Sequence, residues 1–203
     1  MKPAARVLLP LLVLSLGGGS ACLSRPSLVR ERFGFTVPPS VGPAPGTTKL
    51  LALPAPEVAA AFDRIAFVYR TGENTFEPDP FAQLLAPPRE LLGEALRGHL
   101  RASGLFRDVS RSTRDADLVA RVTVTQMYGD FRKAGAPAAF LALQLSVLRP
   151  ATPAAEPLLT KGYARQVPIS ARRPDALAAG IDLVVTEIAA EIAGDLKAAT
   201  IAP

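Results

Sequence analysis

One cysteine, one histidine, two methionines and no tryptophan occur in the 203 residues of this chain. A single thiol closes no intramolecular disulfide and builds no cysteine-based metal cage. A Ser-His-Asp hydrolase would have only His99 as its base, and no glycine-flanked nucleophile elbow accompanies it. There is no glycine-rich strand-to-helix turn for a nucleotide phosphate, because Gly17, Gly18 and Gly19 belong to the N-terminal apolar segment. Asp63, Glu73, Glu77 and Asp79 cluster in sequence but lack the order of a calcium loop, and read as a solvated acidic loop. Dense runs of lysine and arginine are missing too. The net charge of +5 includes Lys2 and Arg6 of the N-terminal segment, and without them it falls to +3. So weak a basicity does not grip a phosphate backbone. No nucleic acid, no cofactor, no metal and no catalytic residue is therefore expected.

What is present begins with "MKPAAR", two positive side chains, followed by "VLLPLLVLSL" and a glycine run. This is the pattern of a secretory signal. A spanning helix needs about 20 apolar residues, and this run is shorter, so removal is expected rather than permanent spanning. Gly19, Ser20 and Ala21 precede Cys22. The arrangement resembles a bacterial lipoprotein processing site, although Gly19 stands where leucine is usual. The resemblance implies cleavage between Ala21 and Cys22, with a diacylglyceryl group on the sulfur and an acyl chain on the new amino terminus. More than one chain is needed for stable anchoring, at about 0.8 kcal/mol per buried methylene. Leu23 in place of aspartate implies sorting to the outer membrane of a Gram-negative cell, on its periplasmic face.

Three regions follow: a lipoprotein signal peptide over 1–21, a Pro/Gly-rich tether over 22–57, and a single α/β domain over 58–203. Seven prolines between residues 23 and 57 prevent a continuous helix, and "KLLAL" (49–53) is expected as an edge strand. Strands are expected over 63–70, 106–110, 118–131, 138–149 and 158–169, with a loop over 72–81 and a hairpin link over 150–157. Helices are expected over 87–104 and 174–199. Pro88 and Glu90 suit the first turn of the earlier one, and Gly104 suits its stop. Arg97 falls off its apolar stripe, and His99 is expected as a surface or boundary residue that exploits its negative end. The expected fold class is α+β: an antiparallel sheet of about four to five strands with two amphipathic helices packed on one face.

The other sheet face, with Arg121, Thr123, Thr125, Gln144 and Ser146, is mixed and partly polar, which suits solvent or a partner protein. Phe33, Phe35, Phe62, Phe76 and Phe81 surround the tether and the acidic loop. They either meet a partner or lipid-like ligand or pin the tether onto the domain.

The stretch "DRIAFVYRTGENTFEPDPFAQLLAPPRELLGEALRGHLRASGLFRDV" (63–109), followed by "ADL", carries Arg64, Ile65, Tyr69, Arg70, Leu92, Leu96, Leu100, Gly104, Leu105 and Phe106. With these residues the chain resembles the ABC-type transport auxiliary lipoprotein family (the PqiC-like group). The resemblance implies a non-enzymatic accessory or docking component of an ABC-type lipid or hydrophobic-compound transport system. Its implied partner is an MCE-domain protein, with a phospholipid or sterol-like ligand and a homo-oligomer as further expectations. The candidate contact residues are Phe76, Phe81, Tyr69, Arg70, Arg121 and Thr123. The alternative is an envelope-assembly lipoprotein that regulates a cell-wall or secretion complex.

Overall fold

The longest apolar-polar alternation in the chain, "LVARVTVTQMYGD", forms the longest strand, β7 (Leu118–Asp130), in a computed structural model that describes residues 30–39, 42–45, 47–150 and 156–199. Cys22, Ala21 and the rest of the signal segment lie outside the described residues, as does most of the 150–157 link. Along one flank β7 pairs antiparallel with β8 (Ala138–Leu148), which pairs antiparallel with β9 (Leu159–Pro168). The other flank of β7 is taken in succession by three short parallel strands. These are β2 (Leu50–Ala52), β3 (Glu57–Val58) and β4 (Ala66–Arg70). β4 carries β5 (Phe76–Leu84) antiparallel, and β5 carries β1 (Glu31–Phe33) parallel. On its far side β2 carries β6 (Asp108–Ser110), also parallel.

This corrects the expected antiparallel sheet of four to five strands. The sheet is mixed, with nine strands among the described residues and five of its eight ladders parallel. Four of the five parallel ladders involve strands of two or three residues, too short to display a period of two, and β1, β2 and β3 sit among prolines that argue against strand on composition alone; the fifth joins β4 to β7. "KLLAL" is not at an edge, since β2 lies between β6 and β7 with Leu51 and Ala52 fully buried. Nor is 72–81 wholly loop. β5 contains Pro78 and Pro80, which are tolerated because β1 pairs only with residues 82–84 and, among the described residues, that flank of β5 has no partner strand at the prolines.

Helix α1 (Pro88–Ala102) and helix α2 (Pro174–Ala198) share one hydrophobic cluster with the sheet. Leu92, Leu96 and Leu100 of α1, and Ile181, Val185, Ile188 and Ile192 of α2, meet Leu51, Val122, Val124, Leu143 and Leu145 there. Gly104 ends α1 with φ +68°, the left-handed conformation that spares only glycine a steric penalty. Arg97 departs from expectation: it is 9% exposed and donates from Nη1 to the Leu53 carbonyl at 3.1 Å. The chain leaving β2 lies against α1 at Pro56 and turns a nominally outer helix face inward. Burial, aided by nearby Arg111 and Arg101, lowers the proton affinity of this guanidinium. His99 is half-buried, at the boundary between surface and core. Burial lowers its pKa despite Asp182, and its Nε2 lies 3.4 Å from Thr186 Oγ1 of α2.

α2 is fastened to β9 by a small polar node. Tyr163, 2% exposed, donates its hydroxyl to Asp195 Oδ2 at 2.9 Å, and Lys161 Nζ reaches the same oxygen at 2.7 Å. The Lys161 hydrogen bond, against the opposing effect of burial and with help from Tyr163, holds the Asp195 carboxyl below its ordinary value. A depressed carboxylate contributes stability above its unfolded pKa of about 3.9 and loses it as pH falls through the folded value. Asp195→Asn is therefore expected to show a smaller drop in urea midpoint than the wild type between pH 6 and pH 3. An identical drop would show that this carboxylate does not take part.

Candidate functional site

The sheet face away from the helices holds two neighbouring features. At one end, Arg121 and Thr123 of β7 stand directly opposite Ser146 and Gln144 of β8. Their inward neighbours Ala120, Val122 and Val124 point into the core, so the period of two presents these four polar side chains together. Pro54, Ala55 and Glu57 wall the groove on one side and Leu148 and Pro157 on the other, around a volume of about 550 Å³. Arg121 is exposed and has no ion-pair partner among the described residues. Hydroxyls, an amide, one cation and one carboxylate are equipped to exchange hydrogen bonds with a polar partner surface. No histidine lines this groove, since His99, the only one in the chain, lies on α1 against α2.

A bulge between Val124 and Gln126 then swaps the faces of β7: Met127 enters the core and Tyr128 emerges on the groove side. Tyr128 stacks on Phe140 with centroids 4.9 Å apart, and meets Phe76 edge-on at 5.5 Å and Phe62 at 6.1 Å. Arg70 lies over both Phe76 (5.7 Å) and Tyr128 (5.8 Å). It also donates to the Tyr128 hydroxyl at 3.3 Å and to the Glu73 carbonyl at 2.6 Å. Phe76, 41% exposed, forms the outer wall of this aromatic patch.

Of the six contact residues expected from sequence, the structure therefore brings Arg121 to Thr123 and Arg70 to Phe76. Tyr69 and Phe81 belong elsewhere. Tyr69 faces the helix side, stacked on Phe131 at 4.6 Å, and its hydroxyl donates to Asp79 Oδ2 at 2.5 Å. Burial first, then Asp79, raises its pKa far above the ordinary tyrosine value. Burial works to raise the Asp79 carboxyl, yet the Tyr69 hydroxyl and the N–H groups of Ala82 and Phe81 hold it below its usual range. Phe81 sits at the β1/β5 edge beside Glu31 and Pro174. The acidic residues do not converge: Asp63 accepts from Arg89, Glu77 from Thr71, and Glu73 pairs with Arg70 and Arg132. Among the described residues no group of three or more potential metal ligands is present. Tyr128 was missed because a one-residue bulge in β7 leaves no trace in composition, and Phe140, in phase with Gln144 on β8, was missed with it because Tyr128 is its ladder partner.

The sequence model of the ABC-type transport auxiliary lipoprotein component family matches residues 33–193. Among solved structures, a protein from Xanthomonas campestris assigned to the family DUF330 superposes with a TM-score of 0.71 at 19% identity, over 83% of this chain and 96% of that one. A second, uncharacterised protein superposes with a TM-score of 0.66 at 14% identity, over 83% and 99% of the two chains. At such identities the likeness is one of fold alone. No curated protein sequence matches the chain. No helix among the described residues is long and apolar enough to cross a membrane.

Proposed function

The chain belongs to the family of ABC-type transport auxiliary lipoprotein components, and from that premise we propose that its mature form is a non-enzymatic docking component of a lipid or hydrophobic-compound transport system. Lipid on Cys22 holds it at the periplasmic face of the outer membrane, and the uncovered sheet face receives an MCE-domain partner. The observation that carries this reading is the groove of Arg121, Thr123, Gln144 and Ser146 on a face that neither helix covers. A polar floor with one unpaired cation fits recognition, because its hydrogen bonds and charge set orientation and register. The protein's task is then to fix the position of its partner relative to the bilayer, so that an apolar cargo crosses with less exposure to water.

Arg121→Glu reverses the groove's one cation at an exposed site and leaves the core intact. Co-isolation of the MCE-domain protein from detergent-solubilised envelopes is expected to fall about tenfold, which corresponds to about 1.4 kcal/mol. Unchanged recovery, with the variant at wild-type abundance, would remove the groove from the interface.

A further inference from the structure

The described chain begins at Arg30, at the sheet edge formed by β1 and β5. β1 pairs with Ala82, Gln83 and Leu84, and among the described residues the preceding part of β5 has no strand on that flank. Six large apolar side chains are exposed among the described residues, and three of them, Phe81 (49%), Leu85 (63%) and Ile65 (43%), occur here. Phe81 and Leu85 belong to β5 and its end, and Ile65 lies across β5 from β1, just before β4. Leu85 N–H donates to the Phe33 carbonyl at 2.7 Å, and Leu84 N–H donates to the Ile65 carbonyl at 2.6 Å.

The charge at this edge is also distinctive. Arg30, Arg32 and Arg64 are exposed, and none has an ion-pair partner among the described residues. Glu31 is the one carboxylate in the strand. The nearby Asp79, Asp63 and Asp175 are engaged by Tyr69, Arg89 and Arg173. Exposed apolar side chains bordered by unpaired guanidinium groups fit an interface of acyl chains and phosphates.

The distance to such an interface is short. Seven residues, and so eight backbone steps, separate Cys22 from Arg30. Fully extended they span roughly 28 Å, so an anchor at Cys22 confines this edge near the lipid surface. We propose that the β1/β5 edge rests on the bilayer holding the chain's own anchor, with Phe81, Leu85 and Ile65 at the headgroup-acyl boundary and Arg30, Arg32 and Arg64 on lipid phosphates. This rests on lipidation of Cys22. β7 lies three strands in from that edge, in the order β1-β5-β4-β7. At about 4.8 Å per strand the groove stands roughly 15 Å or more from the edge, clear of the headgroups and open to a partner.

The test uses the full lipidated protein reconstituted into phosphatidylcholine vesicles with and without phosphatidylglycerol. An environment-sensitive fluorophore is placed on Leu85→Cys and, as a reference, on Gly162→Cys of β9, an exposed position where an added Cβ meets nothing within 4 Å. The Leu85 probe is expected to blue-shift on vesicles and to be quenched several-fold more strongly by bilayer spin labels than the Gly162 probe. The triple change of Arg30, Arg32 and Arg64 to glutamine is expected to reduce that difference most on the anionic vesicles. Vesicles that float with the protein while both probes remain water-like would overturn the edge contact and leave the anchor standing. Shielding of Leu85 in detergent before vesicles are added would assign the edge to another copy of the chain and overturn it as well. Failure of the protein to float would overturn anchor and edge together.

Discussion

Serine in place of Cys22 is expected to abolish the acylated mature form and to leave an unprocessed chain that begins at Met1, absent from the outer-membrane fraction. The expectation follows from the resemblance of Gly19, Ser20, Ala21 and Cys22 to a lipoprotein processing site, which implies that lipid is added to the sulfur first and that cleavage before residue 22 follows. Serine supplies no thiol for the first step. One acyl chain alone gives only marginal membrane binding, on the order of 10⁴ M⁻¹, so loss of the whole lipid group is all-or-none for residence in the membrane. The measurement is the intact mass of the chain together with its distribution between membrane fractions. A Cys22→Ser protein cleaved and distributed as the wild type is would identify plain secretion and remove the anchor.

The second large effect lies in α2. A Cβ at Gly180 would come within 2.5 Å of Ile169 Cγ2 and 2.8 Å of Ala139 Cβ. Ala139 is fully buried on β8 and its Cβ is fixed to the backbone, so it cannot move aside alone. Alanine for glycine inside a helix ordinarily gains up to about 1 kcal/mol, whereas overpacking a filled core costs about 1–3 kcal/mol. Overpacking wins here. Gly180→Val, with its second methyl and stiff rotamer, is expected to lose about 3 kcal/mol in urea unfolding. Gly194 in the same helix is the counter-test, because a Cβ there meets nothing within 4 Å. Gly194→Ala is expected to gain about 0.5–1 kcal/mol, since only the propensity effect operates there. Equal and small effects at the two sites would contradict the close approach of α2 to the β8/β9 end of the sheet.

The contrast between these glycines marks where sequence reading runs out. Periodicity placed the long elements well: 118–131 against Leu118–Asp130, 138–149 against Ala138–Leu148, and 174–199 against Pro174–Ala198. Each carries enough residues for its period to stand above noise. β1, β3 and the inner position of β2 did not, because two or three residues have no period and their pairing is decided by partners distant in sequence. Those short strands supply four of the five parallel ladders, and β4 on β7 supplies the fifth. At the candidate site, Arg121, Thr123, Gln144 and Ser146 were legible because alternation holds up to Val124. Beyond it the bulge inverts the faces, and Tyr128 arrives beside Phe76 and Arg70 with no local signal. Tyr69 and Arg70 are neighbours in the chain but lie on opposite faces of β4, so a motif that pairs them in sequence joins two unrelated environments. Arg97 shows the same limit for helices, since its burial depends on the chain around Pro54, Ala55 and Pro56.

The most direct test of the central claim is site-specific photo-crosslinking from Thr123 or Gln144 in intact cells, with the captured protein identified by mass spectrometry. The account requires an MCE-domain protein of an ABC-type transport system to be captured from these positions and not from Gly194 on the helix side. Capture of a cell-wall synthase or a secretion component from the groove, or equal capture from both faces, would contradict it.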